Sequence, residues 1–295
     1  MQLLAYILFY PILYLVSKLP FRLLYIFSDF VYLIVYYIVG YRKKAVRDNL
    51  KLTFPHLSEK ERRVIEKKSF KHLCDMFLET IKTMSISVKE IEKRFVINNL
   101  QTYLDLENKN KSIALMCAHY ASYEWVISMN SKISFEGYAI YKPINNTYFD
   151  QLIKKIRSRF KAHLIGIKET AATIEKNTAN QIKGLYGFAS DQSPLVRPNV
   201  YWSKFMGIEV PVYTGAESLS KRFDMNMVFL KVRKLKRGYY EADIEILSEN
   251  VHEIPDFQIT ELFLRKVEQQ ILEAPEFYMW THKRWKHRGK NKITG

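Results

Sequence analysis

Two apolar stretches open the chain, and they limit its possible folds more than any other feature. Leu3 to Val16 is apolar apart from its tyrosines and Pro11. Lys18, Pro20 and Arg22 interrupt the run, and Leu23 to Gly40 resumes it with Asp29 as its only charge. The first stretch is shorter than the roughly 20 residues that cross a bilayer core. The second carries a carboxylate, which costs about 2.5–3.5 kcal/mol at the centre of an inserted helix. Two membrane arrangements fit: one stretch spans while the other lies in the interface, or the pair forms a helical hairpin in one leaflet. A buried helix pair in a soluble protein is the bland alternative. A cleaved signal peptide fits poorly, because no basic segment leads the first run and no small-residue cleavage site follows it. Arg42, Lys43, Lys44 and Arg47 come directly after the second stretch. Such a cluster stays on the cytoplasmic side and attracts anionic headgroups. Residues 1–50 are therefore expected to be a membrane anchor, with the remainder against the cytoplasmic face.

Charge points the same way. The 46 Lys+Arg exceed the 30 Asp+Glu and leave a formal net charge of +16, so some partner is anionic: nucleic acid or a phospholipid surface. The 20 tyrosines suit a membrane–water boundary, since each joins an apolar body to a polar tip. With 48% apolar residues the chain is not a disordered tail. Cys74 and Cys117, its only cysteines, exclude a disulfide scaffold and form no metal-ligand spacing. After residue 40 no apolar run approaches a bilayer span, which argues against a polytopic transporter.

Beyond the anchor, strand and helix patterns alternate. Ser58 with Glu61 is a capping box that opens a helix to about Met84, and Ser87 with Glu90 is a weaker second start. Strands are expected at 94–97, 112–117, 138–141, 164–167 and 185–189. Helices are expected at 101–107, 122–129, 148–160, 169–176, 215–223 and 260–272. Asp191 to Tyr201 reads as a loop, and Met225–Lys234 and Tyr239–Leu247 as hairpin arms turned at Arg237-Gly238. This order predicts an α/β fold with a mainly parallel central sheet flanked by helices.

The segment that carries chemistry is Cys117-Ala118-His119-Tyr120-Ala121-Ser122-Tyr123-Glu124-Trp125. A histidine follows a strand, and a carboxylate follows it near a helix start. The chain can turn back so that Glu124 reaches one imidazole nitrogen and leaves the other free to accept a proton. That is the orienter and base of a hydrolase triad without its serine, suited to direct acyl transfer onto a substrate hydroxyl or amine. A structural histidine at a strand end would show the same pattern.

Several blocks accompany this one in order. Tyr41 to Leu50 (YRKKAVRDNL) and Phe54-Pro55 precede it. Tyr141-Lys142-Pro143, Asn145-Asn146, Asp191-Gln192, Phe205-Met206-Gly207 and Val210 to Ala216 (VPVYTGA) follow. Pro275 to Lys286 (PEFYMWTHKRWK) closes the series. Across nearly the whole chain this series resembles the lipid A biosynthesis late (lauroyl/myristoyl) acyltransferases, relatives of the glycerophosphate acyltransferases. The resemblance implies an acyltransferase domain over 51–295, an acyl donor on acyl carrier protein, a glycolipid acceptor and no cofactor. It implies a bacterial inner-membrane location, with anionic lipids as further partners and no nucleic acid. It places a catalytic dyad on His119 and Glu124. An arginine matches at Arg157, with Arg159 the lesser candidate, and an aspartate at Asp191; Lys142 and Gln192 would bind substrate or support the site. Arg157 and Lys142 would hold phosphate, or Arg157 would pair with Asp191. Arg157 also sits in a basic run with Lys154, Lys155, Arg159 and Lys161, the usual mark of a solvated helix face, and Asp191 could be a turn residue before Ser193-Pro194. Ala121-Ser122 stands where many members have Gly-Asn, and Lys142 where Arg is usual.

The C-terminal segment interleaves Lys283, Arg284, Lys286, Arg288, Lys290 and Lys292 with Trp280 and Trp285. Such a stretch can bind nucleic acid or rest on anionic lipid with indoles at the headgroups, and the anchor favours lipid. His282 and His287 read as surface residues. Two rivals stay open: the same chemistry on a lysophospholipid or aminolipid, and a non-catalytic membrane-tethered nucleic-acid-binding protein.

Overall fold

The computed structural model describes residues 2–291, so Lys292 of the basic tail lies outside the described residues. The apolar N-terminus forms α1 (Gln2–Lys18) and α2 (Phe21–Leu33), the second continuing as a π turn over Ile34–Val39. Phe21–Val39 is long and apolar enough, by length and composition, to cross a membrane. Both helices lie along α4 (Glu59–Lys82), whose first turn is closed by the expected capping box of Ser58 and Glu61. Leu24 packs with Leu78 and Ile81 between them. The outward faces stay apolar and bare, with Leu4, Leu8 and Leu15 of α1 and Ile26, Phe30 and Ile38 of the second stretch all exposed.

Asp29, the charge that counts against a span, points toward the protein. Its oxygens take Arg237 at 2.8 and 2.9 Å and Lys71 at 3.2 Å. Arg237 also clasps the buried Asp75 carboxylate at 2.6 Å, and Ser28 donates to Asp75 at 2.7 Å. A cost expected of a carboxylate in lipid is thus met by a guanidinium from the far end of the chain. Arg237 can reach because Gly238 turns the hairpin at φ 74° against the Tyr25 side chain, where any Cβ would collide.

A short helix, α3 (Lys43–Thr53), joins this layer to α4. After α4 come α5 (Val88–Arg94), β1 (Phe95–Ile97), α6 (Leu100–Glu107), β2 (Ile113–Cys117), a 3-10 helix (Tyr123–Ser131) and β3 (Glu136–Tyr141). They are followed by α7 (Thr147–Ser158), β4 (Ala162–Gly166), α8 (Thr170–Ala179) and β5 (Gly184–Ala189). The chain ends through β6 (Trp202–Phe205), β7 (Ile208–Pro211), α9 (Gly215–Arg222), β8 (Asn226–Lys236), β9 (Tyr239–Ser248) and α10 (Gln258–Glu273). Seven strands form one sheet in the order β1-β9-β8-β2-β5-β3-β4, and only β8 and β9 pair antiparallel within it. The expected α/β class with a mainly parallel, helix-flanked sheet is what the chain adopts. β2 lies at its centre with all five residues buried, as an unbroken apolar run requires when both faces are covered.

Three expectations need correction. The helix read at 122–129 is a 3-10 helix, and the β6–β7 hairpin lies in a stretch where no strand was expected. Trp280 and Trp285 are 1% exposed and stack on each other at 5.9 Å, so they are core residues and cannot lie at lipid headgroups or on nucleic-acid bases. Arg284 is buried with them.

The Arg237 clasp yields a stability prediction. Arg237→Ala leaves Asp75 the Ser28 hydroxyl and, as its remaining ion-pair partner among the described residues, Lys234 at 3.6 Å. It should cost roughly 3 kcal/mol, as breaking a buried pair from one side does, and appear as a lower midpoint in thermal unfolding of the solubilised protein. Asp29→Asn, at a more exposed carboxylate, should cost much less; equal costs would refute this account.

Candidate active site

The site forms where β2 and β5 end. The two strands run parallel in register, with Cys117 opposite Ala189. His119 and Asp191 each come two residues later, so the register brings them together at the carboxyl edge of the sheet, the usual place for a site in such folds. Asp191 Oδ1 lies 2.7 Å from His119 Nδ1 and accepts the His119 backbone N–H at 3.1 Å. Asp191 is 1% exposed, which excludes a surface turn role. With Nδ1 held, Nε2 has no hydrogen-bond partner among the described residues, and the ring lines a cavity of about 520 Å³. The edge of Tyr123 packs on the imidazole, centroids 5.0 Å apart.

Charge at this pair follows from burial and contact. Burial pulls the imidazole pKa down, but the charge and hydrogen bond of Asp191 outweigh it, so the net shift is upward from 6.5. Burial pushes the Asp191 carboxyl up, yet His119 and the backbone hydrogen bonds bring it below its ordinary value. Cys117 also lines the cavity, but burial pushes its thiol up to about 12, so it carries no thiolate near neutral pH.

Glu124 does not touch His119. It pairs with Arg157 through two hydrogen bonds, Nη2 to Oε1 at 2.7 Å and Nε to Oε2 at 3.0 Å. Two expectations are corrected together: Glu124 is not the group that orients the imidazole, and Arg157 is not the partner of Asp191. The reason is topological. Glu124 opens the 3-10 helix above the cavity and faces the last turn of α7, whereas Asp191 reaches His119 from the neighbouring strand. Asn146 caps α7 through the Tyr148 and Phe149 N–H groups, which fixes the helix that delivers Arg157. Arg157 is thus in the site despite its basic neighbours. Arg159 points away and donates to the Thr83 and Ile86 carbonyls.

Lys142 and Gln192 line the cavity; Lys142 is exposed, and the Gln192 amide lies 3.8 Å from the Met279 sulfur. Below the polar rim the walls are apolar. Leu115 and Cys117 from β2, Ala139 and Tyr141 from β3, and Leu185, Gly187 and Ala189 from β5 alternate onto one face. Val126 and Ile127 of the 3-10 helix cover them. From the His119 end to Leu115 and Leu185 the cavity follows about four residues of strand, roughly 13 Å.

One participant was misread from sequence. His282, taken as a surface residue, is half-buried and accepts the Ser193 N–H at 3.3 Å; burial lowers its pKa to about 4, so it is neutral. Its segment is tied behind the site by the Met279 N–H donating to the His119 carbonyl at 3.1 Å.

An imidazole with Nε2 free among the described residues, beside a deep apolar cavity with an arginine on its rim, suits transfer of a long acyl group. Comparison with known proteins gives the same class. Residues 2–287 match the model of the bacterial lipid A biosynthesis acyltransferases. The lipid A biosynthesis lauroyltransferase of Escherichia coli K12 is 24% identical over 94% of this chain and 90% of its own length. The palmitoleoyltransferase of the same organism is 23% identical over 84% of this chain and 79% of its own. A lipid A biosynthesis acyltransferase of Haemophilus influenzae is 26% identical over 86% and 81%. On the match across nearly its full length, the chain belongs to the bacterial lipid A biosynthesis acyltransferase family.

Proposed function

We infer that the protein moves a fatty acyl chain from an acyl carrier protein thioester to a hydroxyl of a lipid A precursor. It would work at the cytoplasmic face of the inner membrane, with residues 1–50 attached to the bilayer and 51–295 carrying the chemistry. The observation that supports this most directly is the His119–Asp191 contact of 2.7 Å at the rim of the apolar cavity, with Nε2 unpartnered. The bare apolar faces of α1 and α2 favour membrane attachment, and the net charge of +16 favours an acidic carrier and anionic headgroups.

In this mechanism the acyl chain fills the cavity and its thioester carbonyl lies at the rim. The acceptor hydroxyl donates to His119 Nε2. As its oxygen bonds to the carbonyl carbon, Nε2 takes the proton, and Asp191 stabilises the imidazolium. The carbonyl π pair moves onto oxygen. When that oxyanion collapses, the C–S bond breaks and the thiolate leaves, taking the proton from Nε2. An ester and a thiol result, and the histidine is restored. Arg157 Nη1 has no partner among the described residues, and its N–H groups are available to the oxyanion or to an acceptor phosphate. Glu124 holds that guanidinium in place. No serine or cysteine is bonded to Nε2 among the described residues, which favours direct transfer over an acyl-enzyme.

The test is mass spectrometry of products made by the purified full chain from a lipid A precursor and a set of acyl carrier protein thioesters. An added secondary acyl chain supports the reading. Acylation of lysophospholipid or an aminolipid in its place would overturn the acceptor. His119→Ala should lower turnover roughly 10²–10⁴-fold, the usual worth of a general base, with folding intact; unchanged turnover refutes the mechanism.

The pH dependence has a definite sign. The base is the neutral imidazole, which is lost as pH falls through its pKa. Because Asp191 raises that pKa, kcat/KM should decline on the acid side with a midpoint above about 6.5. Asp191→Asn should move the midpoint down and lower the plateau; an upward move would contradict the assignment.

Chain length offers a further check. A Cβ on Gly187 meets only the Tyr138 carbonyl, at 3.6 Å, so a larger side chain there projects into the cavity without backbone strain. Gly187→Leu should lower kcat/KM for the longest accepted acyl chain by about 10–200-fold while sparing shorter ones. An equal loss for all lengths would place the acyl chain elsewhere.

A further inference from the structure

Arg284 is wholly buried, the one charged residue among the largest fully buried side chains of the described residues. Its guanidinium lies 5.0 Å from the Phe205 ring centroid, and Nη1 donates to the Pro211 carbonyl at 3.0 Å. Nε and Nη2 have no hydrogen-bond partner among the described residues, so no carboxylate is bonded to this cation. A buried guanidinium without a counter-charge is costly, so its neighbourhood must offset it.

The neighbourhood is the back of the active site. The Arg284 N–H donates to the His282 carbonyl at 2.9 Å, and His282 Nε2 takes the Ser193 N–H, two residues past Asp191. Tyr278, on the same segment, bridges Tyr120 beside His119. Asp191 Oδ1 holds His119, while Oδ2 is buried without a partner among the described residues. An acid short of donors and a cation short of acceptors thus flank the same segment. The buried Tyr278 hydroxyl feels both: burial and Asp191 raise its pKa, and Arg284 lowers it.

Counting charge shows what this can do. Glu124 and Arg157 cancel. When His119 is protonated it balances Asp191. When His119 is neutral, as the base must be, Asp191 is a buried anion whose hydrogen-bonded neighbour carries no charge. We propose that Arg284 is a positioning residue of the site, its guanidinium supplying the counter-charge to Asp191 while His119 is neutral and so keeping the imidazole in its base form. This rests on the reading of His119 as the base.

The other groups do not supply that charge. His119 is faced by Asp191, Glu124, Arg157, Tyr123 and His282, and Asp191 also by Cys117, Tyr123, Tyr278, His282 and Arg284. Arg284 is faced by Asp191, Tyr278 and Tyr213, with His282 and Lys286 on its own segment. The tyrosines and Cys117 are held protonated by burial, and His282 is neutral. Lys286 is exposed.

The experiment is an NMR titration of the histidine-labelled, solubilised full chain, with the His119 signal assigned by its loss in His119→Gln. Arg284→Gln should raise the His119 midpoint by roughly one pH unit, and the acid limb of acyl transfer should follow. Arg284→Lys, which keeps the charge, should stay near the wild-type midpoint. An unmoved midpoint in folded Arg284→Gln overturns the proposal. Should that variant not fold, Asp191→Asn combined with Arg284→Gln should fold as well as Asp191→Asn alone, because neither charge is then left unpaired. A double variant that fails where Asp191→Asn folds also overturns it. The titration needs no substrate, so a shifted midpoint in a chain that acylates nothing would support the charge coupling and defeat the functional reading. An unmoved midpoint in a chain that acylates lipid A precursor defeats only the coupling.

Discussion

The register between β2 and β5 is the constraint on which the site depends. Cys117 opposite Ala189 sets His119 opposite Asp191 two residues on. A slip of β5 by one residue would turn its cavity-facing side chains to the other face of the sheet. The same alternation builds the apolar wall and aims the imidazole at its rim, so the cavity and the position of His119 are consequences of one pairing. Burial then does the electrochemical work: a carboxylate removed from water acts on its neighbour more strongly than an exposed one would.

Two hydrogen-bonded pairs, His119–Asp191 and Glu124–Arg157, divide what a single dyad would combine. One holds the imidazole through Nδ1. The other fixes a guanidinium at the cavity rim. Each pair joins elements distant in sequence, so the site is as rigid as the packing of strands and helices around it. The C-terminal segment completes that packing through Met279, His282 and the stacked Trp280 and Trp285.

A similar logic governs the N-terminus. α1 and α2 keep their polar groups for the protein and leave apolar side chains outward. Asp29, Ser28 and the Ser17 carbonyl all meet α4 or the hairpin turn. α1 further stacks Tyr6 on Tyr148 of α7, the helix that carries Arg157. The apolar segment is therefore coupled to the active site by contact, not merely joined to it by chain.

Much was legible in the residues themselves. Local signals (the Ser58–Glu61 cap, the apolar run before His119, the Arg237-Gly238 turn) depend on neighbours within a few positions and foretold their elements well. His119 stood out as a histidine at a strand end. Its partner did not, because a spacing of five residues and a separation of 72 cannot be weighed without knowing which strands are adjacent. In retrospect Asp191 carries a signal, since it follows its strand by the same two residues as His119. That offset has meaning only once β5 is known to pair with β2.

Local residue patterns set the alternation of elements, the apolar N-terminal segments and the excess of cationic charge, and they marked His119 as a candidate base. Tertiary structure alone decided that Asp191 rather than Glu124 holds the imidazole, that Asp29 is neutralised by Arg237, and that Trp280, Trp285 and Arg284 are interior. The physical reason is that periodicity and capping are set by local sterics and hydrogen bonds. Charge pairing and burial are set by the long-range order of strands in a sheet, which no short window of residues encodes.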